Sequence, residues 1–167
     1  RLLMGALNGM DVLVIDRSSS GRYLPSKQGV GLARKISCDV ALGLMANGQI
    51  QSSWIHCTDA DVKVPSDYFE QVTSVPDAAS AVVYPFVHIA EGDALQKHAM
   101  RLYDRHLHHY VAGLKRAGSP YAFYSIGSLI AVRGYSYAVV RGFPKRQAGE
   151  DFYLLNKLAK VGAVHTL

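Results

Sequence analysis

The chain has 167 residues, 49% of them hydrophobic, with 18 Lys and Arg against 13 Asp and Glu for a net charge of +5. A single domain spanning residues 1–167 is expected, able to bury roughly 70% of the surface its unfolded chain exposes. No run approaches the ~20 apolar residues of a membrane helix, no secretory leader pattern opens the chain, and no like-charge block or basic-aromatic pattern marks a nucleic-acid binder.

These exclusions predict a cytoplasmic protein whose modest basic excess suits an anionic partner, either a nucleoside diphosphate or the cytoplasmic membrane surface, with no nucleic acid. Two cysteines, Cys38 and Cys57, are too few and too widely spaced for a disulfide framework or zinc site, so both are expected in the core.

In chain order, "MDVLVID" reads as a buried strand ending at Asp16, followed by the turn-rich "RSSSGRYLPSKQG". From Gly29 to about Asn47, Ala33, Ile36, Val40 and Leu44 recur at helical spacing, and Gly48 supplies a stop. "SSWIHCT" returns to strand. Pro65 then opens a helix over "SDYFEQVTSV" that ends at Pro76. "SAVVYPFVHI" is the next strand, with Pro85 suggesting an edge or a bulge.

A long helix from about Asp93 to Ala117 carries Leu95, Ala99, Leu102, Tyr103, Leu107, Tyr110, Val111 and Leu114 on its apolar side, and Gly118, Ser119 and Pro120 close it. The same helix places His98, Arg101, Arg105, His108 and His109 near one face, a solvated polar stripe able to meet a phosphorylated acceptor or a membrane. "SLIAVR", a short "GYSYAVV" segment, a last helix "EDFYLLNKLAKVG" and the strand "AVHTL" complete the order. Alternating strands and helices predict an α/β domain with a mostly parallel sheet and a ligand crevice beyond its carboxyl ends.

Asp59 and Asp61 follow the strand "WIHCT", separated by one small residue so that both carboxylates can turn toward one ion. Oxygen ligands of this kind suit Mg²⁺ or Mn²⁺, which would neutralise a departing diphosphate. A solvated turn in which either acid caps the following helix explains the same residues without a metal. Glu150 and Asp151 open the last helix, where the positive end of its dipole accounts for both. Alternatively, one of them is a general base facing the crevice.

Taken together and in order, "VLVIDRSSSG", "GVGLARKISCDVAL", "CTDADVKVPSDYF" and "GSLIAVRGYSYAVVRGFPKRQAGEDFYLLNKLAKVG" resemble the family 2 glycosyltransferases of the GT-A (Rossmann-like) fold over residues 11–163. The resemblance implies an inverting transfer of a sugar from a nucleoside-diphosphate donor, UDP-sugar first among them, to a hydroxyl acceptor. It implies that Asp16 contacts the nucleobase, that Arg34 lies near the nucleotide, and that Asp59 approaches the donor's ribose or sugar and joins Asp61, the principal metal ligand. Gly127 and Ser128 would line the acceptor side, Asp151 would be the base, and Glu150 its neighbour in the catalytic pair and a candidate acceptor contact. Arg17 stands where the family commonly shows a second Asp, and neither the family's opening strand before "RLLMGALNGM" nor its Gln/Arg-rich segment beyond the Glu-Asp helix is visible, which predicts a domain truncated at both ends. The alternatives are a non-catalytic nucleotide-sugar-binding fragment of the same fold and a sugar-phosphate nucleotidyltransferase, the latter disfavoured by the lack of a Gly-rich loop with Arg and Lys at the first strand.

Overall fold

The computed structural model describes residues 2–167, and it begins with a feature the hydrophobic pattern did not announce. Asn8 and Gly9 both take positive φ, 50° and 80°, the backbone that a two-residue hairpin turn demands and that Asn-Gly adopts readily. They join β1 (Leu2–Leu7) to β2 (Met10–Ile15), antiparallel with Leu7 opposite Met10. This hairpin is a sheet of its own. The expectation that "MDVLVID" forms a buried strand of the central sheet is therefore corrected: Met10 and Val14 are exposed.

The main sheet has four strands, β3 (Trp54–Cys57), β4 (Ala79–Val83), β5 (Ile130–Arg133) and β6 (Ala163–Thr166), in the order β3-β5-β4-β6. β5 runs antiparallel to both β3 and β4, and the β4–β6 pair alone is parallel. The domain is mixed α/β, as expected, but its sheet is mostly antiparallel rather than mostly parallel. A parallel sheet needs a crossover element between each strand and the next. The long helix α2 (Ala94–Arg116), which precedes β5, buries only Val111 and so does not lie across the sheet as a crossover would.

Period-two alternation is clean in these strands. Ile55, Val132 and Ala81 form one cross-strand row and Cys57, Ile130 and Val83 the next, both on the face covered by helices. α1 (Gly29–Ala46) and α4 (Glu150–Leu158) pack there, with Cys38 from the first and Leu154, Leu155 and Leu158 from the second. Tyr137 of the short α3 (Gly134–Val139) and Phe143 complete that core. On the opposite face, Trp54, Val82 and Ala131 meet Tyr68, Val72, Val75 and Tyr84.

Local signals explain most helix ends. Asp93 caps α2 through the Gln96 amide while the Gln96 side chain accepts from the Asp93 amide, a reciprocal capping box. Gly48 and Gly118 close α1 and α2 with positive φ. The helix expected over "SDYFEQVTSV" is replaced by turns and one 3₁₀ turn, Gln71–Ser74. Thr73 Oγ1 and Ser74 Oγ donate to the carbonyls of Glu70 and Gln71, so side chains compete for the backbone groups a helix would use.

The inward face of α1 also differs from expectation. Gly31, Cys38, Ala41, Leu42 and Met45 meet the core, whereas Ala33 is exposed and Ile36, Val40 and Leu44 are half-buried. The face that turns inward carries Arg34, a residue that a search for apolar periodicity places on the outside.

Candidate functional site

Arg34 projects from the second turn of α1 and makes three contacts with parts of the chain far away in sequence. Its Nη2 donates to Asp59 Oδ1 at 2.6 Å, its Nε to Glu150 Oε1 at 3.1 Å and its Nη1 to the Gly127 carbonyl at 3.0 Å. The planar guanidinium suits this, because it presents donors in a fixed fork that can bind three acceptors in one plane. Four of the residues singled out in the sequence therefore meet at one side chain.

Each partner is positioned by its own element. Asp59 lies two residues beyond β3, in a turn whose Val62 amide donates to the Asp59 carbonyl. Gly127 begins a 3₁₀ turn (Gly127–Leu129) that feeds directly into β5. A Cβ at Gly127 would sit 3.0 Å from the guanidinium carbon, so the absence of a side chain lets the arginine lie against the backbone. Ser128, its neighbour, is buried in the same turn.

Glu150 opens α4 but does not cap it. The N-cap is Gly149, in the left-handed region with φ 71°, and no side chain bonds to the cap amides from there. Glu150 instead turns inward to Arg34, with its side chain only 6% exposed. Asp151 Oδ1 accepts from the Phe152 amide at 2.7 Å, so this acid takes the role expected of a carboxylate in a first helical turn. Asp151 is half-buried, and its second oxygen is not engaged among the described residues.

Asp61 follows Asp59 on the same turn and is exposed, with no hydrogen-bond partner among the described residues. Among those residues no group of three or more His, Cys, Asp and Glu side chains gathers as a metal cage. A Mg²⁺-like ion held by one or two carboxylates, with waters and substrate phosphate oxygens completing its shell, needs no such cage. Asp61 and the Asp59 oxygen not engaged by Arg34 fit that ligand set.

Asp16 stands apart from this cluster. Its Oδ1 accepts from the Ser18 and Ser19 amides at 3.1 and 3.0 Å and its Oδ2 from Arg22 at 3.2 Å. The Ser19 hydroxyl first, then these amides and the Arg22 charge, hold its carboxyl well below the usual carboxylate range. All of its partners among the described residues lie within six residues, at the end of the separate hairpin rather than of the main sheet.

Beneath the cluster lie the two cysteines, free thiols with their sulfurs 3.9 Å apart and both buried. Contact with the Cys57 sulfur, together with burial, pushes the Cys38 thiol up. His56, the residue before Cys57, points to the opposite face. Its Nδ1 lies 3.0 Å from the Tyr84 hydroxyl, which donates to the Tyr68 carbonyl at 3.1 Å and so accepts from the imidazole. Burial lowers the His56 pKa and raises that of Tyr68 to about 12, which keeps both neutral. Such a histidine is a packed neighbour of the acidic turn.

The histidine-bearing helix divides in two. His108 Nδ1 is 2.6 Å from the Tyr124 hydroxyl and Asp104 binds His88, while His98, His106 and His109 are exposed. Neither pair touches the Arg34 cluster. A cavity of about 340 Å³ between α2, α4 and the loop at 119–126 lies beside Phe152 and Ile126, the chain neighbours of Asp151 and Gly127. The sequence does not show this cavity, because helical spacing puts Tyr103, Leu107, Tyr110, Val111 and Leu114 on one apolar side of α2 without saying what covers it.

No helix among the described residues is long and apolar enough to cross a membrane. No protein-family model, curated protein or solved structure matches the chain.

Proposed function

We propose that this chain is a metal-assisted glycosyltransferase domain of the GT-A type, moving a sugar from a nucleoside-diphosphate donor to a hydroxyl acceptor with inversion. The observation that supports it is the fork of Arg34, which ties together Asp59, Gly127 and Glu150 from segments 25, 93 and 116 residues away. Those segments carry the family resemblance independently, and a shared function is a reason for their meeting.

In this reading Asp61, with the open oxygen of Asp59, holds Mg²⁺ or Mn²⁺, whose chemistry is to neutralise the leaving diphosphate. Arg34 fixes Asp59 and with it the acidic turn that faces the donor. Asp151 takes the proton from the acceptor hydroxyl through its unengaged oxygen as that hydroxyl's oxygen bonds to the anomeric carbon. The bond from that carbon to the diphosphate breaks, and the nucleoside diphosphate leaves with the electron pair. Glu150 holds Arg34 and through it the acidic turn, so it positions other groups and does not touch substrate.

Nucleoside-diphosphate release from UDP-sugars with Mn²⁺ tests the proposal. Asp61→Ala and Asp151→Asn are each expected to abolish turnover, and wild-type rates in both would sink the site assignment.

A second reading, a non-catalytic nucleotide-sugar-binding domain, is favoured by one observation: every described partner of Asp16 is local, so no described contact ties the expected nucleobase residue to the Arg34 cluster. Calorimetric titration with UDP-sugars and Mn²⁺ separates the two, since binding without turnover supports the second.

A further inference from the structure

The 340 Å³ cavity falls within the ~300–1,000 Å³ typical of small-molecule sites and is about twice the ~150 Å³ apolar cavity that accepts one benzene ring. Its lining contains no charged side chain. Leu107, Val111 and Leu114 of α2, with Ile126 from the loop, give it an aliphatic wall, and Phe152 closes it from α4. Tyr103 and Tyr110 also line it and are 52% and 57% exposed, so they stand at its open side. Asn156 adds a neutral amide at the α4 side.

We propose that this cavity binds an uncharged hydrophobic alcohol, a two-ring body with a hydroxyl at its edge, and that it is the acceptor site of the domain. The lining discriminates by what it lacks. A charged group would lose its water against a wall with no counter-charge, and a saccharide would set its ring of hydroxyls against a wall that is mainly apolar, where Ser119, Ser125 and Asn156 are the polar side chains besides the tyrosines. A flat apolar body packs offset or edge-on against the aromatic rings, and in the acceptor role its hydroxyl lies at the Phe152 end of the cavity, next to Asp151.

The placement fits the second half of the proposal. Phe152 follows Asp151 directly on α4, and Ile126 precedes Gly127, whose carbonyl Arg34 holds. A ligand in the cavity thus lies against the chain neighbours of both the base and the cluster. The acceptor role rests on the transferase reading; the ligand class does not.

Titration of the full chain with 2-naphthol, followed by its own fluorescence and by calorimetry, tests the ligand class. Saturable one-to-one binding is expected, at least tenfold tighter than 2-naphthalenesulfonate or maltose. Asn156→Trp, which fills the cavity from α4, and Tyr110→Ala, which opens its mouth, should each weaken binding tenfold or more while far-UV circular dichroism is unchanged. Tighter binding of maltose or the sulfonate, no saturation, or unaltered affinity in both folded variants would each overturn the assignment. With a UDP-sugar and Mn²⁺ added, formation of a naphthyl glycoside supports the acceptor role. Nucleoside-diphosphate release without that glycoside overturns the acceptor role and leaves the transferase reading standing. No turnover with any acceptor removes both, while saturable binding still upholds the ligand class.

Discussion

Replacing Arg34 with methionine keeps an unbranched apolar stem and removes the charge and the three donated hydrogen bonds. The two carboxylates respond differently because they are buried differently. Asp59's side chain is 49% exposed, so its half of the network resembles a surface pair worth at most about 1 kcal/mol. Glu150's side chain is 6% exposed, and leaving a buried charge without its partner typically costs about 3–5 kcal/mol. The second term decides the outcome. Arg34→Met is expected to lose roughly 4 kcal/mol, which at a urea m-value of ~2 kcal/mol/M is a fall of about 2 M in the unfolding midpoint. Adding Glu150→Gln removes the orphaned charge, and Arg34→Met with Glu150→Gln should recover more than half of the loss. Urea unfolding at pH 7, monitored by circular dichroism, measures all three variants in a double-mutant cycle. A loss below 1 kcal/mol for Arg34→Met, or no recovery in the double variant, would refute the claim that Glu150 depends on Arg34.

Asp61→Ala should leave the unfolding free energy within about 0.5 kcal/mol of the parent, as expected for an exposed side chain without a partner among the described residues, while abolishing sugar-donor turnover. Gly31→Ala should destabilise by about 1–3 kcal/mol in thermal unfolding, because the added Cβ would collide with the Pro144 carbonyl and come within 2.6 Å of the Arg146 carbonyl. His56 gives a pH signature. Its folded pKa is depressed by burial below the unfolded value of ~6.5, so the unfolded chain binds the proton more readily, and stability rises with pH across that interval. The contribution is complete above pH ~6.5 and is lost as pH falls below it. His56→Gln should flatten that part of the curve in denaturant titrations between pH 5 and 8. Asp93→Ala should remove the α2 capping box at a cost of about 1 kcal/mol, read from the same unfolding curves.

Elements defined by neighbours in sequence were legible. The span of α2 could be read from Asp93 at one end and Gly118 at the other, and α1, α4 and the cores of β3, β5 and β6 from short-range pattern and turn residues. Direction of pairing was not, since the same strands accept parallel or antiparallel neighbours and only the route of the chain decides. Asn8-Gly9 was a hairpin signal in plain view that went unused. Val72 and Val75 have the spacing of a helix, but Thr73 and Ser74 between them bind local carbonyls and end it. Within the candidate site, residue types were legible from resemblance and the contact from Arg34 to Glu150 was not, because no periodicity encodes a pairing across 116 residues. The cavity is not legible because apolar spacing marks a helix face and not its cover: on α2 only Val111 is buried, and it too lines the cavity.

The close approach at Gly31 divides tolerance to change unequally between two segments. Its amide donates to the Arg146 carbonyl at 3.0 Å, and the nearest neighbours of its missing side chain are the backbone atoms of Pro144 and Arg146. Every amino acid brings a carbonyl, so the contact constrains the identity of residue 31 and leaves those of 144–146 open so far as this contact goes. Arg34 lies one helical turn further on and inherits its register from that anchor. Diversity can therefore accumulate in the 144–146 loop, just before the Glu150 helix, without disturbing the arginine that gathers the acids.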